Sequence, residues 1–471
     1  MGKKREVTIL PFLTNWYKGR KSESEKGGQT NREKSDPEAR PKTVTAITTT
    51  ATTTSGSSSE DSKDWEETTV DSVNGTCQIR LCYRVLQQCG KGTFGTVFKV
   101  KVESPDSVEE ILAMKLVKSR KRAKMREINM MKLMNHPNLV KLRYFCTVGM
   151  CQMRTRQLIF MEWMPESLHV LVSRHKKQQV PIAPVLIRCF TWQVCRGLAF
   201  MHHRGIAHRD LKPLNMLVDF SKGLLKVCDF GSAKLLTDGV PNTAYICSRW
   251  YRAPELLYGN KRYNCAIDIW SIGCCLGEMI RLAPLFRGHN TADQLEKILR
   301  TLGSPTKREL IKLGVKDNEL PSQLTAKDMN NVLDCRASKN TRSFLLQLLR
   351  YAPSDRPTAW DSLADSFFDE LRLPECCLPN AEPLPELFNF STEELEYNSQ
   401  INDLLKPKVS SARSTLRLSA YASARSSLQI NAYNNSNDNY NNTNNSQLTS
   451  YVAQVDPPKK QSSSRVKTAY T

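Results

Sequence analysis

The stretch "HRDLKPLN", residues 208–215, places a carboxylate, an ammonium and an amide within one short loop-like segment. Asp210 can orient a hydroxyl and accept its proton, Lys212 can neutralise charge on a transferred phosphoryl group, and Asn215 can offer an oxygen to a metal ion. Further on, "DFG" adds the carboxylate of Asp229, and two such oxygen ligands suit a hard Mg2+ bridging phosphates. "GKGTFGTV" sets Gly90, Gly92 and Gly95 between two strand-like runs, so its backbone amides can fold over phosphates. A dinucleotide fold would need a helix at the third glycine, and none follows; a glycine-rich hairpin with no ligand is the plainer alternative. Lys115 in "LAMKLV" is a lone cation among apolar residues, unfavourable unless the phosphates or Glu127 of the next helix meet it. An outward position on a strand edge is its other reading. Taken together and in this order, the motifs point to phosphoryl transfer.

The elements that must position these residues are legible as periodicity. "LCYRVLQQCGKGTFGTVFKVKV" and "EEILAMKLV" alternate and carry β-branched and aromatic residues, which predicts strands. Ile128, Met131, Leu133 and Met134 fall at helical spacing, and "NHP" stops that helix. Farther along, "PVLIRCFTWQVCRGLAFMHHRG" and "AIDIWSIGCCLGEMI" read as long apolar-faced helices, the first ended by Gly205. The fold class expected is α+β: a bilobal domain with a β-rich small lobe over about 80–163 and a mainly helical lobe over about 164–390. Residues 1–79, rich in Lys, Ser and Thr, read as a disordered basic arm, and 391–471, with "NAYNNSNDNYNNTNNS", as a low-complexity tail.

The 471-residue chain can bury a large core, and its formal charge of +21 favours acidic partners without choosing among nucleic acid, headgroups and phosphoproteins. Fifteen cysteines lie scattered in apolar context with no CxxC and no secretory h-region, which predicts a reducing, intracellular setting. The glycosylation-type triplets at Asn74 and in the tail are therefore read as idle, and no apolar run is long enough to span a bilayer. The basic run "KSRKRAKMR" reads as a solvated face, with a nuclear-import patch or acidic docking site as alternatives; without interleaved aromatics it does not argue for nucleic acid.

From about 80 to 390 the chain resembles a eukaryotic protein kinase, and "KPLN" resembles the serine/threonine type. "APE" (Ala253–Glu255) closes the stretch that resembles an activation segment; Arg356 resembles the partner of that glutamate, and Asp268 the buried aspartate that holds the catalytic loop. The resemblance implies ATP and Mg2+ as cofactors, with Lys115, Glu127, Asp210 and Lys212 catalytic and Asn215 and Asp229 on the metal. It implies a nucleotide site built from Gly90, Lys91, Gly92, Gly95, Val97, Ala113 and Lys115 on the small-lobe side. Met161, Glu162, Met164, Leu217 and Cys228 complete it, with Met161 limiting the back of the pocket and Glu162 and Met164 presenting backbone groups to the base.

"VCDFGSAK", "PNTAYICSR", "RTLGSPT" and "DSFFDELRLP" followed by "LPELFNFSTEEL" narrow the resemblance to the glycogen synthase kinase 3 family. Thr243-Ala244-Tyr245 also resembles the doubly phosphorylated lip of mitogen-activated kinases, and the single-tyrosine reading is favoured, with Tyr245 phosphorylated by the kinase itself. A catalytically silent scaffold is the rival from another class. Arg126, Arg209 and Lys234 match the family's cluster for a phosphate already on the substrate, which implies pre-phosphorylated protein substrates of the form S/T-x-x-x-pS/pT. The competing reading is that Arg209 and Lys234 only make structural pairs in the activation segment. A monomer is expected, cytoplasmic and nuclear, with no nucleic-acid partner. Three departures stand out. The arm lacks the family's inhibitory serine motif, residues 307–340 diverge where the family binds scaffolds, which puts axin-like binding in doubt, and Leu214 replaces the family's Gln.

Overall fold

The computed structural model describes residues 65–408, except 74–76, 93–94, 104–108, 120–125, 152–153 and 316–323. Most of the arm, Asn74, most of the "KSRKRAKMR" run and the chain beyond 408 lie outside the described residues.

Six strands form the first layer: β1 (Glu66–Ser72), β2 (Gln78–Gly92), β3 (Gly95–Glu103), β4 (Glu110–Ser119), β5 (Leu142–Cys151) and β6 (Arg154–Glu162). They close into a barrel in the order β1-β2-β3-β4-β6-β5. β1 corrects the expectation of a disordered arm to residue 79, and the expected domain start at 80. In "EETTVDS" only Val70 reaches the core, where it is fully buried with Leu81, Val100, Leu112 and Phe160. A strand covered on one face needs few apolar residues, so composition hides it.

Helix α1 (Arg126–Leu133) follows β4 and buries Ile128, Met130 and Met131. The second lobe is built on α2 (Leu168–Gln178), α3 (Pro184–His203) and α4 (Ala266–Arg281). Pro184 opens α3 where its missing N–H costs nothing, and Gly205, at φ +69°, turns the chain out of it. Trp192 of α3 and Trp270 of α4 are fully buried, the first bounded by Phe368 and Phe388 and the second by Phe286. Short strands then carry the loops that matter: β7 (Glu166–Ser167), β8 (Ile206–Ala207), β9 (Met216–Asp219), β10 (Leu224–Val227) and β11 (Lys234–Leu235).

The expected boundary of the low-complexity tail at 391 is also corrected. Ser391 and Glu394 form a capping box over Thr392–Leu395, and Glu394, 2% exposed, accepts from Arg196 Nε at 2.7 Å and approaches His136 Nε2 at 3.2 Å. These bonds fasten residues 391–408 to the domain, where Leu405 is also buried. Among the described residues no helix is long and apolar enough to cross a membrane.

Candidate active site

Lys115 is on neither an edge nor an outward face. Its strand β4 runs between β3 and β6, pairing Lys115 with Val97 and Ile159, and the side chain is buried. Its Nζ donates to Glu127 Oε1 at 2.6 Å and Asp229 Oδ1 at 3.1 Å, joining β4, α1 and the "DFG" turn. Burial works against the charge on Lys115, but the two carboxylates outweigh it and hold the ammonium above its ordinary range. Burial likewise presses Asp229 upward, and the Lys115 ammonium more than reverses this, leaving the carboxyl below its usual value.

The "HRDLKPLN" segment folds around a second carboxylate. Asp268, fully buried on α4, accepts the backbone N–H groups of His208 at 2.8 Å and Arg209 at 3.0 Å, and His202 Nε2 lies 3.0 Å away. That grip holds Arg209 at φ +68°, a conformation side chains disfavour. Asp210 is thereby presented with fixed partners: Oδ2 accepts from Lys212 Nζ at 2.7 Å, and Oδ1 accepts from Ser248 N at 3.0 Å and Ser248 Oγ at 2.9 Å. Lys212 also donates to Ser248 Oγ at 3.0 Å, and Asn215 Nδ2 donates to the Asp210 carbonyl at 2.8 Å. With Nδ2 committed to that carbonyl, the side-chain oxygen of Asn215 remains as an acceptor.

A cleft of about 570 Å³ has Lys115, Glu127 and Asp229 in its wall and reaches the second segment at Asn215, whereas Asp210 and Lys212 are not on its lining. Gly90, Lys91, Gly92, Gly95, Val97, Ala113, Lys115, Glu127, Met161, Met164, Leu214, Asn215, Leu217, Cys228 and Asp229 all line it, together with Val170 and Trp163, which no motif announced. The volume falls in the range of small-ligand sites. Gly95 is required by its backbone: φ is +142°, and a Cβ would stand 2.5 Å from the Leu116 carbonyl oxygen. Cys228 is half-buried in the cleft wall, its thiol pushed up to about 12 by burial. Glu162 is not on the lining; its carboxylate turns to Lys141 N at 2.6 Å and Lys226 Nζ at 2.7 Å. Only its backbone is left for the role expected of it. Leu214 is 54% exposed at the mouth of the cleft.

Arg126 and Arg209 reach one stretch of backbone, which Lys234 follows in sequence. Arg126 Nη2 donates to Ala233 O at 2.8 Å and Arg209 Nε to Ser232 O at 2.8 Å, while Lys234 Nζ is bonded to Asn242 Oδ1. Tyr263 OH accepts from Arg209 Nη1 at 3.1 Å and donates to Thr243 O at 3.0 Å. Structural bonds to the activation segment are thus present for all three cations. Tyr245 stands 72% exposed, with the Arg252 guanidinium carbon 4.5 Å from its ring centre. Glu255 and Arg356 form a fully buried bidentate pair at 2.7 and 2.8 Å, as the resemblance implied. Ser248, Asn242 and Tyr263 were missed because a serine, an asparagine and a tyrosine in a loop carry no pattern of their own.

The protein kinase domain family model matches residues 83–368. The protein kinase gsk3 of Schizosaccharomyces pombe is 38% identical over 361 residues, which cover 74% of this chain and 92% of that relative. The chain belongs to the protein kinase family and, within it, to the glycogen synthase kinase 3 group of serine/threonine kinases.

Proposed function

We propose that this kinase transfers the γ-phosphoryl of ATP to primed serine and threonine residues through the groups that meet in the cleft. The observation that carries the reading is Lys115 Nζ bridging Glu127 and Asp229 inside a cavity that Asn215 also lines. Protein kinases as a family use ATP with Mg2+, and the donor set here fits that ion: a carboxylate and an amide oxygen, hard ligands without competing thiolate or imidazole. Asn215 and Asp229 would hold it, and when bound it neutralises charge on the phosphates. Lys115, kept in place by Glu127, positions the nucleotide's phosphates, and the Gly90–Gly95 hairpin covers them.

Asp210 receives the substrate hydroxyl. Its Oδ1 already accepts an O–H from Ser248, and Lys212 spans Asp210 and Ser248, close to where charge develops on the transferred group. The O–H bond of the acceptor breaks toward Asp210 as its oxygen bonds to phosphorus and ADP leaves. Asp229→Asn tests the assignment: peptide phosphorylation should fall at least about 100-fold, because the charged one of the ion's two ligands is lost. Unchanged turnover would remove the assignment.

The cluster of Arg126, Arg209 and Lys234 supports a preference for S/T-x-x-x-pS/pT, since two guanidinium forks and an ammonium can share one dianion. A positional peptide library made with and without phosphoserine reads this directly, and indifference to the phosphate counts against it. Exposure of Tyr245 next to Arg252 supports its autophosphorylation. Protein made in bacteria should carry phosphate on Tyr245 by mass spectrometry, whereas Tyr245 found bare there would favour activation by another kinase.

A further inference from the structure

A second cavity, of about 770 Å³, lies outside the catalytic cleft. Its walls come from the loop after α1, from α3, from the β9–β10 hairpin and from residues 378–389. Leu224, Leu378 and Leu384 give it an apolar floor, Glu382 and Glu386 stand on its rim, and its two lysines already have partners, Lys222 with Asp219 at 3.8 Å and Lys226 with Glu162 at 2.7 Å. Both glutamates are exposed, and among the described residues neither has a cationic partner. Asn138 also lines the cavity at 6% exposure. Its Nδ2 is spent on Gln193 Oε1 at 3.2 Å and Leu225 O at 3.3 Å, while its Oδ1 has no hydrogen-bond partner. A buried acceptor left unpaired costs free energy that an incoming N–H recovers. The cavity therefore asks for three things together: apolar side chains, positive charge at the rim, and a backbone-type donor.

The chain carries one such segment just past its last described residue. "RSTLRL" spans Arg413 to Leu418. In an extended segment Leu416 and Leu418 fall on one side with Arg417 on the other, and the backbone offers unpaired N–H groups. Reach is sufficient. The Lys408 N–H donates to Arg372 O at 2.8 Å, and Arg372 stands six residues before Leu378 of the cavity floor, so those two points lie within about 20 Å of each other. Leu416, eight residues beyond Lys408, can extend about 27 Å.

We propose that residues 413–418 of the same chain bind in this cavity, Leu416 and Leu418 against Leu224, Leu378 and Leu384, and Arg413 and Arg417 beside Glu382 and Glu386. Tethering makes the contact intramolecular and raises the local concentration of the segment to the millimolar range. Behind the cavity, Lys226 of its wall pairs with Glu162 at 2.7 Å, and Asn138 O accepts the N–H of Val227, the residue before Cys228 of the cleft wall.

Hydrogen exchange on the full chain, read by mass spectrometry, tests the proposal. Amides of residues 411–420 should exchange at least about tenfold more slowly than in the synthetic peptide SARSTLRLSA, and the protection should survive about tenfold dilution of the protein. E382K/E386K should abolish it, and adding R413E/R417E to that variant should restore it, which also shows that the charge changes leave the cavity folded. Leu384→Asn should remove it without any change of charge. Exchange at the peptide rate in the parent would overturn the proposal, as would protection that persists in E382K/E386K. Protection that fades on dilution would assign the occupant to a second copy of the chain and overturn it equally.

Discussion

Ser248 shows how one side chain can set the state of a reacting carboxylate. It gives Asp210 Oδ1 both its N–H and its O–H while Lys212 bridges the other side, so Asp210 is held as an acceptor before any substrate arrives. Ser248→Ala removes one of these bonds and leaves the backbone one, so kcat should fall about tenfold with KM for ATP little changed, measured by steady-state kinetics on a primed peptide. Gly95 acts through its backbone instead. An added Cβ collides with the Leu116 carbonyl at 2.5 Å and is strained at φ +142°, so Gly95→Ala should displace the β2–β3 hairpin and weaken ATP binding about tenfold, read by nucleotide titration.

Elements in this protein are joined by buried charge. Arg356 reaches from the loop after residue 350 to Glu255 at the end of the activation segment, and it also donates to Ala266 O at 2.9 Å at the start of α4. Arg356→Ala leaves Glu255 buried and unpaired, so it should destabilise the protein by about 3–5 kcal/mol, measured by denaturant unfolding. This pair was legible in the sequence, because "APE" and "SDRPT" are short, contiguous motifs. So were Lys115, Asp210, Asn215 and Asp229, each of which falls in a run where residue type and neighbours both speak. Strand β1 was not legible: a single buried Val70 among Glu, Thr and Asp gives no composition signal. Ser248 was equally silent, since its meaning comes from Asp210, with which it shares no motif.

At the scale of the whole molecule, residues 391–408 clasp the domain through contacts that no local pattern could announce. His136 and Glu394 are 258 positions apart, and Glu394 is held by Arg196 as well. Burial lowers the His136 imidazole, so below its unfolded value the unfolded chain binds the extra proton. Burial pushes Glu394 upward, but His136 and Arg196 overturn this and hold the carboxyl far below its usual range. Its stabilisation is complete above the unfolded glutamate value and lost as pH falls toward the folded one. Both groups thus act in the same direction, and stability should decline from about pH 6.5 downward. Melting temperature followed across that range should show the decline, and Glu394→Gln should remove the part of it below about pH 4.3, where the carboxylate titrates in the unfolded chain, while lowering stability at neutral pH. A Glu394→Gln protein with the parent's slope would place the pH dependence elsewhere.

In the proposed reaction Asp210 handles the acceptor hydroxyl while Lys115, Asn215 and Asp229 hold the nucleotide and its ion. Single-turnover transfer of labelled phosphate from ATP to a primed peptide, with Mg2+ present, tests it most directly when the parent is compared with Asp210→Asn. The rate should fall about 100- to 10,000-fold with ATP affinity preserved. Equal rates in the two proteins, or ATP binding lost together with the rate, would contradict it.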